Sequence, residues 1–474
     1  AYYTDLTSSP AGAYVTVWGK GFGSSAGSVM VGGATASGAD IVSWSDSMIE
    51  FRVPTGAGSG ITVVAASGSS NALPFTTRAS GRIFYVSKAT GSNSNNGLAP
   101  TPGSAGVGPW RDLTQVAAKL APGDIVYVRA GTYNELDNST YGTSLLAKNK
   151  FAKGTVSAPI AVVAYPREKP VVGAPANRRA IMLEGGQAYW TIAKLTLQAA
   201  SAALELGANG ANSGMRWVGN EASNVPSPYG TFILKACSDC QVLGNHVYNS
   251  GQPGSKLAHL IYYGGYGVGR NVEIAWNRLH DEKGGRCLQV YGHTDADRLS
   301  GLSIHDNIVY NCPYDGILVG KSDASYKNWI SDALIYNNVV WGARNAAIRL
   351  DNPGVKARLF HNTLHANSQG LRIQTAASAE ARNNIFSQTS APVRIESVGT
   401  LTLSNNGYQG GTPPAQDKPA FTGDPQYVNP AAGDFTLQAT SPFKGKGALL
   451  NLTLPGLFTT ATSAPDLGSL MRMP

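Results

Sequence analysis

Val242-Leu243-Gly244-Asn245-His246-Val247 and Ile274-Ala275-Trp276-Asn277-Arg278-Leu279 share one pattern: a short apolar strand, an asparagine, and another apolar strand. The asparagine returns at 307, 338, 362, 384 and 406, at successive spacings of 32, 30, 31, 24, 22 and 22 residues. A recurrent period just above twenty marks stacked coils, each a unit that cannot bury its apolar face alone. The longer intervals leave about eight to ten residues for loops. Asparagine suits such a turn because it tolerates left-handed backbone, and stacked amides can bond from coil to coil. The repeat predicts a β-solenoid.

Each coil carries a further strand beyond its asparagine turn: Leu260-Ile261-Tyr262-Tyr263, Leu288-Gln289-Val290-Tyr291, Ile317-Leu318-Val319, Ile348-Arg349-Leu350 and Leu371-Arg372-Ile373. Side chains alternate along a strand. If Leu288, Ile317, Ile348 and Leu371 point inward, then Gln289, Leu318, Arg349 and Arg372 line one outer stripe, joined by Tyr262, with Tyr291 and Asp351 one step further along. Parallel strands lie about 4.8 Å apart, so these residues form a ladder along a shallow groove. Such a groove suits an extended polymer better than a compact metabolite.

Composition agrees with an all-β chain. Of 474 residues only 14% are charged, against about 25% in ordinary domains, while glycine (56) and proline (26) are abundant. Charged surface helices are therefore scarce, and 42% hydrophobic residues argue against disorder. No apolar run reaches the ~18 residues of a membrane-spanning helix. The chain opens at Ala1 with no hydrophobic signal core, which reads as a processed mature form or a start chosen for expression. Four cysteines (237, 240, 287 and 312) make no disulfide framework. Cys237 and Cys240 lack the second pair that a zinc site needs, so all four read as structural, either buried thiols or bridges. Net charge is +8, but residues 1–78 carry −1, which leaves +9 on the remainder. The basic residues form no dense patch, so nucleic acid is not an expected partner.

Two family resemblances set the domain organisation. In residues 1–78, Pro10 and Gly12 precede the strand Val15-Thr16-Val17-Trp18, Gly19-Lys20-Gly21-Phe22-Gly23 follows it, and Trp44-Ser45 comes before Ile49 and Val53-Pro54. This order resembles the IPT/TIG immunoglobulin-like family, which implies a small β-sandwich acting as spacer, docking surface or weak carbohydrate binder. Beyond it, Phe84-Tyr85-Val86, Pro109-Trp110, a helical stretch at 112–120, and Pro122-Gly123-Asp124 leading to Gly131-Thr132-Tyr133 resemble the entry to right-handed parallel β-helix proteins. Gly423-Asp424-Pro425, Asp434-Phe435-Thr436-Leu437, Ser441-Pro442 and Asp466-Leu467-Gly468 resemble their far end. The resemblance implies a right-handed parallel β-helix over 79–474, with the helix at 112–120 covering its open first edge.

Ile317-Leu318-Val319-Gly320-Lys321-Ser322, followed one coil later by Ala347-Ile348-Arg349-Leu350-Asp351, resembles the lysine and arginine on neighbouring coils of β-helix lyases that act on alginate and dermatan sulfate. The resemblance implies β-elimination of a uronic-acid-containing polysaccharide by a secreted or periplasmic enzyme acting as a monomer. The family's calcium-holding acidic pair before the lysine is absent, with Asp315 alone nearby, so calcium is left open as a cofactor. Elimination removes a weakly acidic C5 proton, so a cation must neutralise the adjacent carboxylate and a base must take the proton. In one scheme Lys321 is the base and Arg349 the neutraliser or relay. In the other, His259 or His293 is the base, with Tyr262 or Tyr291 as the acid. Arg286, Gln289, Asp315, Asp351 and Arg372 are expected to bind substrate. All seven histidines lie between 246 and 365; His246, His280, His305, His361 and His365 adjoin the asparagine turns and read as structural. A hydrolase would need two facing carboxyl groups, for which Asp281, Glu282, Asp315 and Asp351 are available. Asp295 and Asp297 are read as loop residues, with calcium binding as the alternative. A non-catalytic adhesin on the same fold is the remaining alternative.

Overall fold

The computed structural model describes residues 1–137, 140–294, 296–320, 329–450, 452, 454 and 463–470, and the backbone of Lys321. The chain forms two compact units: Ala1–Ala199 with Asn212–Glu221, and Ala200–Ala211 with the chain from Ala222 onward.

In the first unit, Tyr3–Thr4, Tyr14–Trp18, Met48–Arg52 and Ile41–Trp44 make one small sheet. Ser8–Pro10, Leu73–Arg78, Ser59–Ala65, Ser28–Val31 and Ala34–Ala36 make another. Val15, Val17, Ile49 and Phe51 of the first, and Val29, Val31, Ile61 and Val63 of the second, are buried, as the inner faces of a sandwich require. From Ile83 the pairing becomes parallel: Ile83–Val86, Ile125–Val128, Ile160–Ala164 and Trp190–Ala193 lie side by side in register. Ile125–Val128 and Ile160–Ala164 are buried along their whole length, so they read as unbroken apolar runs rather than alternating ones. The Tyr127 hydroxyl bonds both the backbone N–H and the carbonyl of Tyr14 at 2.7 Å. Nearby, Lys194 Nζ reaches Glu50 Oε1 and Thr16 Oγ1, each at 2.7 Å.

The stretch expected as a helix at 112–120 is instead two 3₁₀ turns, Leu113–Gln115 and Ala117–Lys119. So short a segment cannot offset the cost of nucleating an α-helix. It still buries Leu113, Val116, Ala117 and Leu120.

The second unit is built from coils of three strands, and the coils stack in parallel to form the right-handed β-helix. One coil runs Val268–Ala275, Arg278–His280, Arg286–Gly292; the next runs Arg298–His305, Ile308–Tyr310, Ile317–Lys321. Strands at the same place in each coil form three faces, called first, second and third in chain order. Inward side chains such as Ile274, Leu279, Leu288, Ile304, Val309 and Ile317 are fully or almost fully buried. Cys237–Cys240 and Cys287–Cys312 are disulfides.

The repeating asparagines sit between the first and second faces and are buried. Asn277 Oδ1 accepts from both the backbone N and Nδ2 of Asn245, at 2.9 and 3.0 Å. Asn307 receives the same pair of bonds from Asn277, and the pattern continues through Asn338, Asn362, Asn384 and Asn406. Each amide therefore satisfies buried backbone as well as its neighbour. The left-handed geometry falls elsewhere than the sequence suggested. It belongs to the residue before each ladder asparagine: Gly244, Trp276, Asp306, Asn337, His361, Asn383 and Asn405, with φ between 51° and 62°. The ladder residue is asparagine for its amide, not for its backbone freedom.

All five turn histidines are bonded across coils. His246 Nε2 meets His280 Nε2 at 2.8 Å, His361 Nε2 accepts from Asn383, and His365 Nδ1 meets Ser387 Oγ at 2.9 Å. The fully buried His305 lies between Asp306 Oδ2 at 2.7 Å and Glu273 Oε1 at 3.0 Å. Burial opposes its charge, but the bonds to these two carboxylates outweigh it and raise its pKa.

Two outcomes follow. Asn307→Ala leaves the donors of Asn277 without their acceptor, at about 1–3 kcal/mol for each orphaned buried group; urea unfolding should show a loss of that size, while an exposed Asn311→Ala control shows less. Because the folded pKa of His305 is raised, its contribution is complete below the unfolded histidine value and disappears as pH rises through the folded one. The stability gap between wild type and His305→Gln, measured by denaturation across pH, should therefore be widest on the acid side and shrink toward alkaline pH.

Candidate functional site

The third face holds the polar row. Its register pairs Tyr262 with Gln289, Gln289 with Leu318, Leu318 with Arg349, Arg349 with Arg372, and Arg372 with Arg394. The alternating partners Ile261, Leu288, Ile317, Ile348 and Leu371 are all at 0% exposure, which turns the row outward. A second row, two residues along, pairs Gly264 with Tyr291 and Tyr291 with Gly320, and further on Asp351 with Gln374. At the opening end of the strands His259 pairs with Arg286, and Asp315 lies beside Arg286 one coil on.

Asp315 is the hub. It has no solvent exposure, and its Oδ2 accepts from Arg286 Nε at 3.0 Å while Arg349 Nη1 stands at 3.6 Å. Its Oδ1 accepts from Asn345 Nδ2 at 2.6 Å. Arg349 Nη2 donates to Asp351 Oδ2 at 2.6 Å, and Gln374 Nε2 donates to the same oxygen at 2.9 Å. Arg372 donates to Asn345 Oδ1 at 3.2 Å and to Glu396 Oε1 at 2.8 Å. Arg286 also donates to Gln289 Oε1 at 3.2 Å. Arg286, Gln289, Asp315, Arg349, Asp351 and Arg372, six residues read from the sequence as one site, thus form one bonded network. Asn345, Gln374 and Glu396 belong to it too, although nothing in their local sequence marks them.

The network leaves polar atoms unused. His259 Nδ1, Arg349 Nε, Arg372 Nε, Gln369 Oε1 and Gln374 Oε1 are buried without a hydrogen-bond partner. All five belong to third-face strands, His259–Gly264, Ala346–Asp351 and Gln369–Gln374. Buried polar groups are ordinarily paired, and atoms of this kind also occur elsewhere among the described residues, as at Asp5, Trp217 and His361.

The aromatic residues gather at the neighbouring end of the row. The His259 ring stacks on Tyr262 with centroids 5.4 Å apart. The Tyr262 hydroxyl bonds His293 Nε2. The His293 ring stacks on Tyr266 at 4.4 Å and meets Tyr291 edge-on at 5.4 Å. The two histidine–tyrosine pairs that the sequence kept apart as alternatives are one cluster. Burial, then the nearby Arg286 charge, holds the His259 pKa well below its ordinary value. Burial, then Tyr266, Tyr291 and Asp297, pushes the Tyr262 hydroxyl far up. The cluster therefore presents a neutral imidazole and a firmly protonated phenol. The Lys321 backbone pairs with Gly292, and its side chain lies outside the described residues.

The carboxyl groups available for hydrolysis are differently disposed. Asp315 and Asp351 both grip Arg349, and the sealed Asp315 cannot face a water. Asp281 and Glu282 open the turn between the second and third faces on the coil before that of Asp315. Asp297 accepts from the backbone N–H groups of Gly267, His293 and Thr294 and from the Thr294 hydroxyl, so it staples its loop; Asp295 lies outside the described residues. Among the described residues no three metal-ligating side chains converge.

Known proteins resemble the chain at two levels. Residues 269–413 match the family model of NosD, a periplasmic copper-binding protein. A 61-residue stretch is 41% identical to the cyclomaltodextrin glucanotransferase of Niallia circulans, covering 13% of this chain and only 9% of that enzyme. The chain thus spans under a tenth of that curated relative. Among solved structures, pectate lyase Pel9A superposes with a TM-score of 0.58 at 16% identity, over 83% of this chain and 96% of the other. That likeness establishes the shared parallel β-helix. An alginate lyase from Paenibacillus sp. superposes with a TM-score of 0.34 at 17% identity, over 63% of this chain and 95% of the other.

The His259 environment can be checked directly. Its imidazole should remain neutral well below the ordinary histidine pKa in an NMR titration of the ring protons, and Arg286→Ala should move the midpoint back upward.

Proposed function

We propose that the protein is a secreted polysaccharide lyase that cleaves an acidic, uronic-acid-containing polymer by β-elimination on the third face. The observation that carries this reading is the bonded network that holds Arg286, Arg349 and Arg372 on the same face as a neutral buried imidazole, His259.

The chemistry needs each part. A uronate carboxylate laid against Arg349 and Arg286 would have its charge neutralised as the enolate develops, and a prepositioned donor of this kind acts where no solvent has to reorganise. Neutral His259 would take the C5 proton. The electron pair then forms the C4–C5 double bond as the C4–O bond breaks, and the Tyr262 hydroxyl returns a proton to the departing oxygen. His293, bonded to that hydroxyl, can restore the proton. Gln289, Asp351 and Gln374 offer groups for sugar hydroxyls. The imidazole scheme takes His259 in the neutral form that burial maintains, and Lys321 stands as the alternative base. No step in it uses a metal, and calcium remains a binding variable to be tested with a chelator. The resemblance to a pectate lyase supports the fold of this reading, while the groove residues support its chemistry.

The deciding assay follows ultraviolet absorbance of the unsaturated product on a panel of polyuronates, together with new reducing ends. Both signals should appear. Reducing ends without absorbance would replace elimination by hydrolysis, and binding with neither signal would make the protein an adhesin. In the lyase, Arg349→Ala should lower kcat by roughly 10²–10³-fold, the usual loss when one charge-stabilising donor is removed. His259→Ala should abolish turnover, whereas Lys321→Ala should retain it; the reverse pattern transfers the base to Lys321.

A further inference from the structure

The arginines of the third face are matched by acids of the chain itself. Arg286 is bonded to Asp315, Arg349 to Asp351, and Arg372 and Arg394 share Glu396. Earlier on the same face, Lys235 is bonded to Glu205. Such pairs hold the side chains in place, but each carboxylate also offsets the field that an acidic ligand would meet. A groove for a polyanion therefore needs a cation with no acid of its own.

Lys256 is such a cation. It lies in a turn at 255–258, just ahead of His259, closed by the Ala258 N–H and the Ser255 carbonyl at 3.1 Å. The turn is pinned to the coils on either side. Ser255 Oγ donates to the Pro228 carbonyl at 2.9 Å, and the Lys256 carbonyl accepts from Arg286 Nη1 at 2.9 Å. The Lys256 side chain is exposed, and its ammonium stands over the Tyr314 ring, 5.5 Å from the centroid. The Arg286 guanidinium is 5.9 Å from the same centroid. One tyrosine, next in sequence to Asp315, thus gathers both cations at the opening end of the third-face strands. Among the described residues no carboxylate pairs with the Lys256 ammonium.

We propose that Lys256 supplies the unmatched charge of this groove and takes the carboxylate of the sugar next to the one held by Arg286 and Arg349, so that the groove selects polymers with acids on neighbouring residues. Around Asp315 the charges of Arg286 and Arg349 are formally cancelled by Asp315 and Asp351, which leaves the ammonium in excess. Arg286 and Arg349 converge on Asp315, whereas Lys256 stands over Tyr314 and comes from the coil before that of Arg286. The lysine is therefore placed for a second carboxylate rather than for the same one. The proposal rests on the reading of the third face as a groove for an acidic polymer, and it holds whichever way the glycosidic bond is broken.

The test reads binding directly. Titration calorimetry on the full chain would use tetragalacturonate and tetramannuronate as probes, with the methyl ester of tetragalacturonate as the uncharged counterpart. At least one acid should bind, and Lys256→Ala should weaken it roughly two- to fivefold, the range for one exposed ion pair. Lys256→Arg should restore the affinity, and the difference should close at high salt, where exposed pairs are screened. Neither substitution alters the backbone carbonyl that holds Arg286. Affinity for the methyl ester should not respond to Lys256→Ala. In turnover, KM for the acid should rise by the same factor, while kcat falls far less than with Arg349→Ala. Failure of both acids to bind, equal affinity of wild type and Lys256→Ala for every acid that binds, or an equal loss for the methyl ester would each overturn the proposal. Lysine-dependent binding of an acid that yields no unsaturated product would refute elimination and uphold the assignment of Lys256.

Discussion

The asparagine amide stack is the constraint on which the second unit rests. An inward leucine can slide against its neighbours at modest cost, but an amide that must accept from the backbone N and Nδ2 of the coil beneath has one acceptable height. Six such steps, from Asn245 to Asn406, fix the register of every strand that leaves the turn. A slip of one residue would turn side chains to the opposite surface. The outward row on the third face is therefore set by buried amides on the far side of each coil.

On that face, the energetic risk is concentrated at Asp315. A carboxylate without solvent would be untenable alone, and removing one partner from a buried ion pair typically costs about 3–5 kcal/mol. Here Arg286, Arg349 and Asn345 share the task, so the carboxylate and the guanidinium groups hold one another in place. The arrangement keeps three arginines close together on a surface where their mutual repulsion would otherwise scatter them. Preorganisation of this kind is what an acidic polymer would exploit, because the side chains need not be ordered during binding.

Much of the fold was legible because its determinants are periodic. The recurring asparagines announced the coils, and the alternation of Leu288 with Gln289, or Ile348 with Arg349, assigned inside and outside. What was not legible depends on contacts between residues far apart in sequence. Nothing near Asn345 reveals that it links Asp315 to Arg372, and nothing near His259 reveals that its ring stacks on Tyr262. The left-handed residues were missed for another reason: glycine, tryptophan, aspartate, asparagine and histidine all occupy the position, so no residue type signals it. At 112–120 the resemblance implied a helix, but the segment is too brief for helical hydrogen bonding to outlast its nucleation cost.

The amide stack also bears on how such a chain can change over evolutionary time. Because the interior ladder asparagines make the same bonds above and below, a whole coil can be duplicated or deleted and the cut ends will still fit. The groove would then lengthen or shorten in whole steps, while the spacing between neighbouring charges stays constant. Lineages of this architecture can thus change the length of an outward row without altering the spacing within it.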